Sequence, residues 1–236
     1  MINLANRFGG TLAARPLQFI WIADCSGSME GKKIESLNFG IREAIPAMRD
    51  VADENPNAQA QVRAIRFSGG AQWHVGTPTD IHDFKWADLS ANSMTDMGKA
   101  LELVADALQA KNLPDRGLPP VLVLLSDGQP TDDFERGLKA LMDQPWGAKA
   151  VRIGIAIGDD ADLDVLQRFI GNAEIKPLQA ANSKDLVNMI RWASTVPLKA
   201  ASNPNSQAPG QAPVGNIPIP APPPVSSGPI DPADVF

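Results

Sequence analysis

Cysteine is nearly missing from this chain: Cys25 is the only one in 236 residues. That excludes an intrachain disulfide and a multi-cysteine zinc site, and it makes a reducing, cytoplasmic setting the expectation. Histidine is almost as scarce. His74 and His82 are too few for a histidine-based zinc centre unless several carboxylates help. Basic residues are outnumbered, 21 Lys and Arg against 27 Asp and Glu, for a formal charge of -6. An acidic chain without a basic block is a poor candidate for nucleic-acid binding, which rests on neutralising phosphates. The same deficit argues against anionic membrane surfaces. No apolar run approaches the roughly 18 residues of a membrane helix; the longest clear one is Val121 to Leu125. The segment Met1 to Arg7 lacks a charged head followed by an apolar run, so no signal peptide is expected.

Proline, by contrast, is in excess, and unevenly. Ten of the 21 prolines lie in residues 1–196 and eleven in residues 197–236. The body is 44% hydrophobic and 20% charged when averaged with its tail, an ordinary composition for a globular protein. The expected organisation is an N-terminal extension (1–14), a folded domain (15–196) and a proline-rich, disordered tail (197–236). Five prolines between Pro218 and Pro224 favour extended polyproline II there. Such a run can dock on a partner, but it carries no basic residue of the kind SH3-type ligands usually have. Asp231 to Phe236 could instead tuck back onto the body or onto a partner.

Along the body, strand patterns alternate with helix patterns. Leu17 to Ala23 is an apolar run of the kind buried on both faces of a parallel sheet. Ile34, Leu37, Ile41, Ile45 and Met48 then recur at spacings of three and four, one face of a helix that Pro46 is expected to bend or end. Gln61 to Phe67 alternates as a half-buried strand, with Ala71 to Val75 as its partner across Ser68-Gly69-Gly70. Met97, Leu101, Val104 and Leu108 mark a second helix, and Val121 to Leu125 a central strand. A helix over 132–142 follows, with Thr131 as its N-cap. Val151 to Ile157 is another strand. Helices over 161–170 and 183–193, with a short strand near 176–178, complete the pattern. This order predicts a doubly wound α/β fold: a mostly parallel central sheet with helices on both faces. Such sheets bind ligands outside the carboxyl ends of their strands.

Small oxygen-bearing side chains collect at those ends. Asp24-Cys25-Ser26-Gly27-Ser28 follows the first strand, Ser93-Met94-Thr95-Asp96-Met97-Gly98 opens the second helix, and Ser126-Asp127-Gly128 follows the central strand. Two carboxylates with three neutral hydroxyls make an all-oxygen set, which hard cations prefer; Mg²⁺ needs only one or two carboxylates plus waters. In Asp24-x-Ser26-x-Ser28 a curved loop can aim alternate oxygens at one centre, and Gly27 lets it turn tightly. Each piece alone has a plainer reading. Asp127-Gly128 is an ordinary turn, Ser28 or Thr95 a helix cap, and Asp96 a favourable charge at a helix N-terminus. Three such loops in this order favour the cation reading.

The same residues resemble a known family. Asp24-Cys25-Ser26-Gly27-Ser28 is similar to the D-x-S-x-S motif of the von Willebrand factor A domain. Thr95, three residues before Gly98, resembles that family's second-loop threonine, and Leu124-Leu125-Ser126-Asp127-Gly128 its third-loop aspartate. Together they resemble its metal-ion-dependent adhesion site, and the resemblance spans residues 15–195. It implies Mg²⁺ or Mn²⁺ held by Asp24, Ser26, Ser28, Thr95 and Asp127. Ser26, Ser28 and Thr95 would bind directly and the aspartates directly or through water, with one position left for an acidic residue of a protein partner. The string Ser126 to Asp133 further resembles the bacterial tellurium-resistance (TerY-like) branch, which implies a protein kinase and a PP2C-type phosphatase as partners.

The remaining chemical candidates read as structural. Cys25 has no histidine near it in sequence to activate it and is expected to be a small buried filler. His74 and His82 are read as structural histidines, and Trp73 and Trp86 as satellite core. No phosphate-cradling loop is present. The expected function is therefore a non-enzymatic, metal-dependent protein-interaction module. One alternative is a Mg²⁺-dependent phosphoryl-transfer enzyme of similar topology, although the second Asp of a D-x-D arrangement would stand at Ser26. The other is a structural scaffold whose site holds no metal.

Overall fold

The computed structural model describes residues 14–56, 58–92, 94–113, 116–202, 220–222, 224 and 235–236. Strand β1 (Arg15–Asp24) is buried along its last eight residues. Its side chains alternate between two cores, as a pleated strand requires. Leu17, Phe19, Trp21 and Ala23 enter one, Ile20 and Ile22 the other. Helix α1 (Lys32–Glu54) follows, then the hairpin β2 (Ala58–Ser68) and β3 (Gly70–Asp80). Next come α2 (Met97–Ala107), β4 (Val121–Ser126), α3 (Phe134–Met142), α4 (Pro145–Lys149) and β5 (Val151–Ile157). The body closes with α5 (Leu163–Ile170), β6 (Leu178–Ala180) and α6 (Ser183–Ser202).

These strands form one sheet in the order β3-β2-β1-β4-β5-β6, parallel throughout except for β3. Leu37 and Ile41 of α1 and Ile190 and Ala193 of α6 cover one face. Leu101 of α2, Leu141 of α3 and Phe169 of α5 cover the other. The doubly wound α/β fold expected from the sequence is the fold observed. The chain leaves β1 to one side for β2 and β3, then returns to place β4 on its other side. The carboxyl ends of β1 and β4 therefore flank the point where strand order reverses, the crevice in which open α/β sheets bind ligands.

Several local expectations need correction. Pro46 does not end α1, which runs on for two more turns. The ring lies on the exposed face, so the Arg42 carbonyl it leaves unbonded can be hydrated. Thr131 does not cap α3. That role belongs to Asp133, whose carboxylate accepts the Arg136 N–H at 3.0 Å, and the helix starts at Phe134 rather than at 132. Helix α6 continues past Ala193 to Ser202 and includes Pro197. Its buried Ser194 hydroxyl accepts the Trp21 indole N–H at 3.3 Å, pinning the helix to β1. Helix α4 carries too short a pattern to be read from sequence.

Pro218, Ile219 and Pro223 of the proline run and all of Asp231 to Asp234 lie outside the described residues; residues 220–222 and 224 are exposed and belong to no helix or strand. At the very end Val235 bridges Asn182 in antiparallel fashion, and Phe236 packs against the α1/α6 side of the core. The last two residues thus return to the body. Among the described residues no helix is long and apolar enough to cross a membrane.

Candidate functional site

The loop after β1 begins with Asp24, which is fully buried. Its Oδ1 accepts the Ser26 N–H at 2.8 Å, and its Oδ2 accepts the hydroxyl of Ser126 at the end of β4. Burial pushes the Asp24 carboxyl up to about 6, against the pull of these hydrogen bonds from Ser126 and Ser26; the nearby Asp127 charge adds to the rise. A carboxylate forced to carry its charge in such a place gains from a neighbouring cation. Gly27–Met29 turns as a short 3-10 segment, and the Ser26 and Ser28 hydroxyls stand 3.0 Å apart. Ser28 donates to Asp127 Oδ1 at 2.7 Å, so the first and third loops meet directly.

The second loop arrives from the other side. A β-carbon placed on Gly128 would stand 3.6 Å from Thr95 Oγ1 and 3.7 Å from Ser28 Oγ, so all three loops converge beside Gly128. Asp24, Ser26, Thr95 and Asp127 are buried and Ser28 is exposed, which leaves the cluster open to solvent on the Ser28 side. Ser93 lies outside the described residues. The structure brings together all five residues singled out from the sequence.

Sequence reasoning missed what holds the loops together. Thr95 and Thr131 clamp each other: the Thr95 N–H donates to Thr131 Oγ1 at 3.1 Å, and the Thr131 N–H to the Thr95 carbonyl at 2.9 Å. Asp132, expected to open α3, instead caps α2 from outside. Its two oxygens accept the Gly98 and Lys99 N–H groups at 2.9 and 2.8 Å. Asp96, at the head of α2, pairs with Lys99 at 2.5 Å. The other missed residue is Lys33, whose ammonium donates to Asp127 Oδ2 at 2.6 Å. Only its position, five residues after Ser28 at a helix start, could have drawn notice. Replacing Asp132 by alanine strips two donors at a helix N-terminus of their acceptor. We expect a loss of about 1–2 kcal/mol, read as a lower urea midpoint; an unchanged midpoint would show that water replaces the cap.

Cys25 is buried, and burial, with the charge of Asp24 next to it, pushes its thiol up to about 12. It is an inert filler, as expected. His74 bonds the Ala87 carbonyl and stacks edge-on against Trp86. His82 stands 3.5 Å from Asp53 near the far end of α1. Trp73 and Trp86 pack against the two cores as satellites. Among the described residues no three His, Cys, Asp or Glu side chains cluster as a metal set, so the donors here are two carboxylates and three hydroxyls. That chemistry fits a hard, oxygen-seeking dication and not a soft one.

An oxygen-lined crevice at the reversal point of a doubly wound sheet defines the class of this domain. A family model for the von Willebrand factor type A domain matches residues 20–191, and the chain belongs to that family, one of interaction and adhesion modules. Solved structures agree on the fold. A von Willebrand factor type A protein from Catenulispora acidiphila matches with a TM-score of 0.58 at 18% identity, over 79% of this chain and 43% of that one. The ArnB paralog VWA2 from Sulfolobus acidocaldarius matches with a TM-score of 0.51 at 18% identity, over 76% and 45%. Proximal thread matrix protein 1 of the mussel byssus, with a zinc-occupied MIDAS motif, matches with a TM-score of 0.57 at 14% identity, over 77% and 48%. The chain thus spans less than half the length of these structures. No curated protein matches it.

Proposed function

We propose that residues 15–196, with the last turn of α6, form a metal-dependent interaction module without catalysis of its own. Asp24, Ser26, Ser28, Thr95 and Asp127 would hold Mg²⁺ or Mn²⁺, and the open Ser28 side would admit a carboxylate from a protein partner. The observation that carries this reading is the convergence of the three loops, with both carboxylates buried and one edge open. A dication between two carboxylates is close to neutral, so a third carboxylate is still attracted. The string Ser126 to Asp133 supports a TerY-like adaptor of a cytoplasmic tellurium-resistance or stress-response system, with a protein kinase and a PP2C-type phosphatase as partners. In that string Thr131 and Asp132 hold the second loop and the head of α2 in place.

The test is capture of a purified TerY-associated kinase or PP2C-type phosphatase on the immobilised chain. Capture is expected in Mg²⁺, lost in EDTA, and restored by Mn²⁺. Equal capture in EDTA would rule out a metal-bridged contact.

A further inference from the structure

We propose that Lys33 is a tethered cation that holds Asp127 in the metal-free protein, and that a divalent ion binds only by driving it onto Asp160. The inference rests on the metal reading above and concerns what sets the affinity. Both oxygens of Asp127 carry a donor without a metal: Oδ1 the Ser28 hydroxyl at 2.7 Å, Oδ2 the Lys33 ammonium at 2.6 Å. The two donors are not equivalent. A hydroxyl can rotate its proton away and present a lone pair, so Ser28 can change from donor to ligand in place. An ammonium has three protons and no lone pair, so Lys33 can only leave.

Its surroundings provide for that move. Asp160, on the loop between β5 and α5, stands 3.4 Å from the same ammonium, with a side chain 74% exposed against 12% for Lys33 and none for Asp127. A swing toward Asp160 therefore takes the charge from the buried carboxylate toward solvent. Gly158 keeps the way clear: its φ is +90°, and a β-carbon there would lie 3.2 Å from both Cε and Nζ of Lys33. Helix stability does not account for the lysine. It occupies the first turn of α1, where the helix dipole opposes a positive charge.

Lys33 and a dication then compete for one carboxylate oxygen, and removing the competitor tightens metal binding. Calorimetric titration of the full chain with Mg²⁺ and Mn²⁺ should show Lys33→Met binding about tenfold more tightly than the wild type. Lys33→Gln should behave likewise, and Lys33→Arg, which keeps the charge, should stay near the wild type. Asp160→Asn should bind more weakly, because the displaced ammonium loses its receiving anion. Without metal, Lys33→Met should melt at a lower temperature than the wild type. If the wild type binds Mg²⁺ and Lys33→Met and Lys33→Gln bind it no better, the competition is wrong and the metal site stands. An unchanged affinity in Asp160→Asn would remove Asp160 as the receiver. If neither the wild type nor the Lys33 variants bind either ion, the metal reading itself fails and takes this inference with it.

Discussion

Asp127→Asn should abolish divalent-cation binding while leaving the chain folded. Asp127 is one of only two carboxylates in the cluster, so the substitution removes half of the negative charge available to a dication. Losing even an outer partner of a metal ligand typically costs 10–100-fold in affinity, so losing a ligand carboxylate should exceed roughly 100-fold. The fold should survive because asparagine has the same shape and its amide oxygen can still accept the Ser28 hydroxyl. Lys33, left without its partner, is close enough to Asp160 to pair there. A buried pair that loses one partner with no replacement costs about 3–5 kcal/mol; because the freed ammonium can re-pair with the exposed Asp160, we expect the metal-free protein to lose less, about 1 kcal/mol. Thermal melts give the readout. Saturating Mg²⁺ at about 100 times the dissociation constant should stabilise the wild type by about 2.7 kcal/mol and the variant not at all. Equal stabilisation of the two would show that the ion sits elsewhere.

Gly98→Ala should give the largest loss of stability among these substitutions, and local propensity argues the opposite. In an isolated helix, alanine for glycine gains about 1 kcal/mol. Here a β-carbon would lie 2.4 Å from the Asp133 carbonyl oxygen and 2.8 Å from its carbon. A β-carbon on Gly137 of α3 would in turn lie 2.2 Å from the Gly98 carbonyl oxygen, so the two backbones touch through paired glycines. Backbone atoms cannot rotate aside as a side-chain end can, so α2 must shift as a unit. Overpacking of this kind costs about 1–3 kcal/mol and sometimes more; with no flexible neighbour to yield, a net loss of about 2–3 kcal/mol is expected. The same shift would pull Thr95, three residues earlier, out of its clamp with Thr131 and weaken cation binding. Denaturant unfolding would decide: a variant as stable as the wild type, or more so, would mean that α2 and α3 tolerate separation.

Much of the fold was legible because period and strand order are local properties. Leu17 to Ala23 and Val121 to Leu125 read as doubly buried strands because no polar residue except Gln18 interrupts them. The alternation with helical spacing then left a wound parallel sheet as the economical arrangement. Where local reading failed, a partner distant in sequence had intervened. Thr131 and Asp132 look like the start of a helix, yet they serve the second loop and the head of α2, 33 to 36 residues away. Pro46 looks like a helix breaker, and only its outward position on α1 made it tolerable.

The candidate site divides in the same way. Asp24, Ser26, Ser28, Thr95 and Asp127 could be named from the sequence, since each sits in a short motif at the end of a predicted strand or the start of a helix. The sequence by itself determined this oxygen-donor set and the acidic, nearly cysteine-free character that turns it toward a hard cation. Tertiary structure alone decided that Lys33 lies on Asp127 with Asp160 in reach. Those carboxylates are 94 and 127 residues from the lysine, and pairing over such separations is fixed by how the sheet is wound rather than by any pattern along the chain.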